Sequence, residues 1–104
     1  MEIAVDAYRL AHSFPQEEKF GLARQITGAA VSIPSNIAEG SGRSSNKEYL
    51  HFLKISLGSC FELESQVLIS NSLEMGSEQL RKSLLENLDQ EQKMIMAFLD
   101  KLNI

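Results

Sequence analysis

Apolar residues recur every three or four positions through almost the whole chain, which is the spacing of one face of an α-helix. The clearest series is Ile26, Ala30, Ile33 and Ile37, whose alternating steps of four and three are typical of a helix-bundle seam. The period-two alternation of a half-buried strand does not occur in the sequence. The pattern therefore predicts an all-α fold.

Helix-breaking residues place the boundaries of the first two predicted helices. The first covers residues 3–13 and ends before the FP pair at residues 14 and 15. The second begins near Pro15, because proline is well tolerated in a first helical turn. Its end is predicted at Gly40 and Gly42.

A third and a fourth helix follow. Ser45 and Glu48 have the S-x-x-E spacing of a capping box, and Gly76 with Ser77 marks the next helix end and a new N-cap. Short connections between long helices favour antiparallel neighbours. We therefore expect one domain, residues 1–104, folded as an antiparallel up-down-up-down four-helix bundle with a short first helix. The predicted core stripe of the third helix is Leu50, Leu53, Leu57, Cys60, Glu64 and Val67.

Composition narrows the class of protein. The net charge is −4, and all of this negative charge arises from residues 55–104, which carry 4 basic and 8 acidic side chains. An acidic chain repels phosphate groups, so nucleic-acid binding would need a local basic patch. The longest wholly apolar run, MIMAFL at residues 94–99, is far too short to span a bilayer. A single cysteine excludes an internal disulfide. We expect a cytoplasmic protein without a membrane partner.

The segment VSIPSNIAEGSGR, residues 31–43, places a proline and two glycines where a helix should continue. We predict that Pro34 bends the second helix without ending it, because the apolar stripe continues across it; the bend is either a tolerated kink or one that shapes an interface. Beside that stripe lies a second face of small and polar residues, which we interpret as a contact seam in preference to a solvated face. Its members are Gln25, Gly28, Ala29, Ser32, Asn36 and Glu39.

Glu64 lies on the predicted core stripe of the third helix, with Glu62 close by. We expect Glu64 to be at least partly buried and hydrogen-bonded, with Arg43 and Asn36 as candidate partners. A carboxylate-bridged metal site would need Glu-x-x-His pairs on two helices, which the sequence lacks. Cys60 is interpreted as a structural core residue, and no catalytic site, metal, cofactor or small-molecule substrate is predicted.

One basic line is a candidate nucleic-acid contact. Arg43, Lys47, His51 and Lys54 share one side of the third helix near its start, at i, i+4, i+8 and i+11. Without interleaved aromatic residues the signal is weak, and a solvated, salt-bridged face is the alternative.

Two long segments carry a family resemblance. FPQEEKFGLARQITGAAVSIPSNIAEGSGR, followed by EYLHFLKISLGSCFELESQ, closely resembles the four-helix-bundle proteins encoded in 23S ribosomal RNA intervening sequences. The resemblance implies a closed homo-oligomeric ring, a homopentamer, without known catalytic activity. A related branch consists of accessory proteins of diversity-generating retroelements, which bind a reverse transcriptase and nucleic acid. The matching motif residues are Pro34, Asn36, Glu39, Gly40, Gly58, Ser59, Glu62 and Glu64.

Two departures from the family shape the functional hypothesis. The chain is acidic where the nucleic-acid-binding branch looks basic, and its first helix is shorter than in relatives by about three turns. A short first helix leaves residues 31–42 and 94–104 uncovered, so we predict that neighbouring chains cover that end. The leading hypothesis is a non-enzymatic oligomeric scaffold or adaptor. The alternative is an RNA- or ribonucleoprotein-binding module that uses the line from Arg43 to Lys54.

Overall fold

The computed structural model describes residues 2–18 and 20–102, and within them all regular structure is helical. The four α-helices are α1 (Glu2–His12), α2 (Leu22–Ser41), α3 (Asn46–Ser72) and α4 (Glu78–Leu102). A 3₁₀ turn, Gln16–Glu18, lies between α1 and α2. The all-α prediction is confirmed.

Contacts between helices show the direction of each neighbour. Towards its C-terminus α2 meets the start of α3, where Gly40 lies against Tyr49, and its middle meets the middle of α3, where Ser32 bonds Ser59. These contacts run in opposite directions along the two helices, so α2 and α3 are antiparallel. α1 packs on α2 and α4, and α3 packs on α2 and α4, which is the neighbour pattern of an up-down-up-down bundle.

The predicted start of the second helix is wrong. Pro15 opens the 3₁₀ turn, in which the Glu18 N–H donates to the Pro15 carbonyl at 3.0 Å and the Gly21 N–H donates to the Glu18 carbonyl at 3.2 Å. Gly21, with φ −102° and ψ −111°, lies outside the helical region, so α2 begins only at Leu22. Proline here starts a tight turn in place of the long helix.

α2 continues through Pro34 and includes residues 36–39, so the prediction that Pro34 does not end the helix is confirmed. The predicted end of the helix at Gly40 and Gly42 is confirmed, because α2 ends at Ser41 with Gly42 as its C-cap, but Gly40 itself lies inside α2 and is buried. A Cβ atom at Gly40 would lie 2.8 Å from the Phe52 Cβ and 2.8 Å from Tyr49 Cδ1. This glycine allows α3 to approach closely, and Gly42 supplies the C-cap.

α3 begins as predicted, with the Glu48 N–H donating to the Ser45 hydroxyl at 3.2 Å. Its core stripe is only partly as predicted, because Leu50, Leu57 and Glu64 are half-buried. The fully buried line runs beside them and contains polar residues, which the apolar pattern could not include. The buried residues of α3 are Leu53, Ser56, Ser59, Cys60, Leu63, Gln66, Val67 and Ser70.

α1 is docked at only one end of the bundle. Gly76, with φ 77°, turns the chain into α4, and a Cβ there would lie 2.7 Å from both Leu10 and Phe14. The Ser77 N–H donates to the Ser13 hydroxyl at 3.2 Å. Because α1 has 11 described residues and α4 has 25, the described part of α1 lies beside only part of the length of α4.

Candidate functional site

The polar face of α2 is partly occupied by α3 of the same chain. Ser32 and Ser59 share a hydrogen bond of 2.8 Å between their hydroxyl groups. The Asn36 amide donates to the Ser32 carbonyl at 2.8 Å and to its hydroxyl at 2.9 Å. These predicted site residues therefore meet in one cluster, and much of their polarity is satisfied within the fold.

Gly28 and Gly58 have no such explanation. Both are exposed in the middle of helices, and a Cβ atom at either position would meet nothing within 4 Å. A glycine in a helix interior destabilises the helix by roughly 0.5–1 kcal/mol relative to alanine. Packing within one chain gives no reason for these two glycines.

The predicted partners of Glu64 are wrong. Glu64 is half-buried but makes no hydrogen bond to a residue in the described ranges, because Arg43 pairs with Glu39 and Asn36 bonds Ser32. Its position at the edge of the buried line leaves the carboxylate access to water. Glu62 is exposed and accepts a hydrogen bond of 3.2 Å from the Gln66 amide.

Cys60 is fully buried, and burial raises the pKa of its thiol to about 12, with the carboxylates of Glu91 and Glu64 adding to the effect. A thiol with such a pKa stays protonated at neutral pH and is a poor nucleophile. Cys60 is thus placed where the sequence predicted it, in the core.

The end of the bundle that α1 does not reach holds an apolar cavity of about 260 Å³, which we call the end groove. The Tyr49 and Phe98 rings meet edge to face there with centroids 5.3 Å apart. Met94, on the same rim, is 66% exposed. The end groove is lined by Ile37, Tyr49, Leu53, Glu91, Met94, Ile95 and Phe98.

A second apolar surface lies on the side of α3 that faces away from the core. Residues three, four and seven positions apart share a helix face, and this spacing relates the large exposed side chains of the middle of α3. Ile55, Phe61, Leu68 and Ile69 are each 40–49% exposed, and the small residues Gly58 and Ser65 lie between them. We call this face the outer stripe: Ile55, Gly58, Phe61, Ser65, Leu68 and Ile69. The sequence analysis did not identify it.

Lys47, His51 and Lys54 lie on one side of α3 near its start, whereas Arg43 precedes α3 and pairs with Glu39 of α2; all four residues are exposed. A shallow cavity of about 600 Å³ includes three of them, Lys47, His51 and Lys54. Phe52, which the sequence analysis missed, also lines it. The Arg43 guanidinium lies 4.8 Å from the centre of the Phe52 ring, and His51 contacts the same ring edge to face at 5.4 Å.

Within residues 2–18 and 20–102 no three His, Cys, Asp or Glu side chains are placed to hold one metal ion. None of the helices over those residues is long and apolar enough to cross a membrane.

Comparison with known proteins identifies the family. A family model described as 23S rRNA-intervening sequence protein matches residues 1–97, which is most of the chain. The chain belongs to the 23S rRNA-intervening sequence protein family. No curated protein sequence matches this 23S rRNA-intervening sequence protein.

A solved structure supports the fold of this 23S rRNA-intervening sequence protein. It is similar to a crystal structure of a protein of unknown function from the S23 ribosomal protein family of Bacteroides thetaiotaomicron VPI-5482. The TM-score is 0.86 with 21% sequence identity, and the match covers 94% of this chain and 92% of the other. At this identity the likeness concerns the fold.

Proposed function

We propose that the protein is a non-enzymatic scaffold or adaptor that acts as a homo-oligomer. The observation that carries the proposal is the end groove, an open apolar cavity lined by residues of α2, α3 and α4. A neighbouring chain that enters this groove covers its exposed apolar side chains. The name of the matched family and that of the structural neighbour refer to no enzymatic activity.

The free energy of burial supports self-association. Met94 and Phe98, which line the end groove, remain 66% and 41% exposed. Fully burying such a side chain contributes about 1.5–3 kcal/mol, so covering several of them offsets part of the entropy lost on association.

A ring follows from the asymmetry of this contact. The end groove is concave, so the surface that fills it is a different part of the neighbouring chain, and such heterologous contacts close into rings when the rotation allows it. The family resemblance gives the number of subunits as five. Glu91 at the rim favours a basic group on the surface that enters the groove.

Sedimentation velocity at micromolar concentration, with light scattering, tests the proposal. We expect a discrete oligomer for the native chain and smaller species for Phe98→Glu, which places a charge in the groove. Ala97→Glu is the matched control, because Ala97 is exposed on the same helix and does not line the groove. Circular dichroism shows whether each variant keeps its helical content. A well-folded native monomer would contradict the proposal.

A second candidate is an RNA- or ribonucleoprotein-binding module, including one associated with a reverse transcriptase. It is favoured by the cavity at the basic line, where Lys47, His51 and Lys54 lie around Phe52 and combine phosphate-binding charge with an aromatic ring. The net charge of −4 opposes it.

Fluorescence anisotropy with a labelled single-stranded RNA tests this second function. Binding should weaken by about tenfold or more between about 50 and 200 mM salt, because cations are released from the RNA. Lys47→Ala with Lys54→Ala should weaken binding further, whereas Lys82→Ala, on the exposed side of α4, should not. The absence of salt-sensitive binding at low ionic strength rejects the module.

A further inference from the structure

A cavity of about 320 Å³ lies between α1 and the start of α2, and we call it the α1–α2 cavity. Small side chains leave this space open, because Ala11 of α1 and Ala23 of α2 both line it where longer side chains would fill it. Ala23 is buried and Ala11 is half-buried, so the two alanines form the floor. The larger residues that line the cavity are Tyr8, His12, Phe20, Arg24 and Thr27.

The α1–α2 cavity has basic side chains in its lining. Arg24 and His12 line it, one from each helix, and no carboxylate of a described residue does. The ion pairs between described residues do not include Arg24. Glu17 and Glu18 belong to the neighbouring 3₁₀ turn and are not part of the lining. In a chain with a net charge of −4, this cavity is therefore a local surface that attracts anions.

Two aromatic rings stand at the rim of the α1–α2 cavity. Phe20 is 81% exposed, which is the highest value among the large apolar side chains of the described residues, and Tyr8 is 54% exposed. Neither ring stacks on another described aromatic ring. A flat ring bound against Phe20 and Tyr8 removes apolar surface from water and adds an aromatic contact, both of which stabilise the bound state.

We propose that the α1–α2 cavity binds a small molecule that joins a flat aromatic ring to a phosphate group, of the size of a nucleoside monophosphate. The ring packs against Phe20 and Tyr8, and the phosphate accepts hydrogen bonds from the Arg24 guanidinium and the His12 imidazole. Ligand cavities in proteins start at about 300 Å³, so a volume of about 320 Å³ suits one nucleotide better than two.

A phosphate group suits this lining better than a carboxylate does. A phosphate monoester has three acceptor oxygens and a charge of about −1.5 to −2 at pH 7, whereas a carboxylate has two oxygens and a single charge. Arg24 and His12 belong to different helices, so an anion with acceptors on several sides serves both donors. A guanidinium group also binds phosphate through two parallel N–H bonds.

Isothermal titration calorimetry of the native chain with adenosine 5′-monophosphate tests the site. We expect saturable binding of one nucleotide per chain, with a Kd below about 1 mM. Adenosine, which lacks the phosphate, and ribose 5-phosphate, which lacks the ring, should each bind at least about tenfold more weakly, because each loses one of the two kinds of contact. The proposal is overturned if the nucleotide does not bind, or if either fragment binds as tightly.

Single substitutions test the named side chains. Arg24→Ala and Phe20→Ala should each weaken nucleotide binding about tenfold, since they remove a phosphate donor and a ring contact. Arg9→Ala and Leu73→Ala are the matched controls, because both residues are exposed and neither lines the cavity. Circular dichroism shows that each variant keeps its helical content, which is expected because all four residues are exposed. Binding that Arg24→Ala leaves unchanged, or that Arg9→Ala weakens equally, contradicts the assignment.

Amide chemical shifts in NMR spectra locate the bound nucleotide. The backbone signals of Ala11, Ala23 and Thr27 should move on its addition, whereas those of Leu53 and Ile95 in the end groove should not. The α1–α2 cavity shares no lining residue with the end groove, so this proposal does not depend on self-association. Shifts confined to the basic line of α3 would place the nucleotide there and overturn the α1–α2 site.

Discussion

At the scale of single residues, the thiol of Cys60 shows how the bundle interior controls chemistry. Burial favours the neutral form of the group, and the nearby negative charges of Glu91 and Glu64 favour it further. The folded protein therefore keeps the thiol proton to a much higher pH than the unfolded chain does.

A pH-dependent stability follows from the raised pKa of Cys60. The ordinary pKa is 9.0 and the folded value is about 12, so over this range the unfolded chain has lost the proton while the folded chain still holds it. Stability from this group is fully present below about pH 9 and falls as the pH rises towards 12. We expect the stability advantage of the native chain over Cys60→Ala to shrink between about pH 8 and pH 10.5, measured by urea denaturation. An unchanged difference would show that the thiol titrates normally in the fold.

At the scale of helices, the α2–α3 hairpin combines a close approach with hydroxyl contacts. Gly40 removes a side chain where Tyr49 and Phe52 cross α2, and the buried Ser56 hydroxyl donates to the Ile33 carbonyl at 2.8 Å. Small and polar residues thus set the separation and the alignment of two helices that apolar residues hold together.

Alanine substitution of two glycines in α2 distinguishes the effect of close packing on the free energy of unfolding from the effect of helix propensity. Gly40→Ala should lower the free energy of unfolding by about 1–3 kcal/mol, because the new methyl group meets the Phe52 Cβ, which cannot move without the backbone of α3. Gly28→Ala should instead raise it by about 0.5–1 kcal/mol, since its Cβ meets nothing and alanine favours the helix. Urea denaturation of the two variants measures both effects. Equal effects would contradict the close approach at Gly40.

The helices were largely predictable from the sequence where a local rule decides them. The cap at Ser45 and the continuation of α2 through Pro34 are examples, since each depends on residues within a few positions. The start of α2 was not predictable from Pro15, because proline suits a 3₁₀ turn as well as a helix start. The packing role of Gly40 was not predictable either, because its reason lies in α3, far along the sequence.

The surfaces were harder to predict than the helices. The leucine series of α3 was used to predict the face that packs in the core. Ile55, Phe61, Leu68 and Ile69 repeat at the same helical spacing on another face of α3. Counting apolar residues on every face would have found the outer stripe. The half-burial of Glu64 was anticipated, but its expected partners were not available, because Arg43 and Asn36 both bond residues of α2.

At the scale of the whole molecule, the bundle is elongated, with extents of 45 × 22 × 18 Å, and its apolar surface is unevenly distributed. The exposed side of α4 carries Lys82, Glu86, Asp89 and Lys93, whereas α3 and the uncovered end expose large apolar side chains. We therefore expect folded chains to associate through these apolar surfaces, so that the stability of the fold rises with protein concentration.

The melting temperature should therefore rise with protein concentration. Association that involves only the folded chain stabilises it by mass action, so a hundredfold increase in concentration should raise the melting temperature by about a few degrees. Scanning calorimetry of the native chain measures the rise, and Phe98→Glu should reduce it. A melting temperature that is independent of concentration would indicate that the folded chain does not associate.

The hydroxyl contacts between α2 and α3 also bear on how the chain avoids misfolding. Two helices that meet only through apolar stripes can slip by a turn and still bury similar surface, which produces a trapped hairpin that must separate before it folds correctly. A slip here takes Ser56 from the Ile33 carbonyl and Ser59 from Ser32. Each buried hydroxyl left without a partner destabilises the slipped form by about 1–3 kcal/mol. The penalty applies to Ser56, whose hydroxyl loses its acceptor in the slipped form, whereas the Ser59 hydroxyl keeps the Ile55 carbonyl of its own helix at 3.2 Å. Ser56 therefore makes a misaligned hairpin less stable than the aligned one.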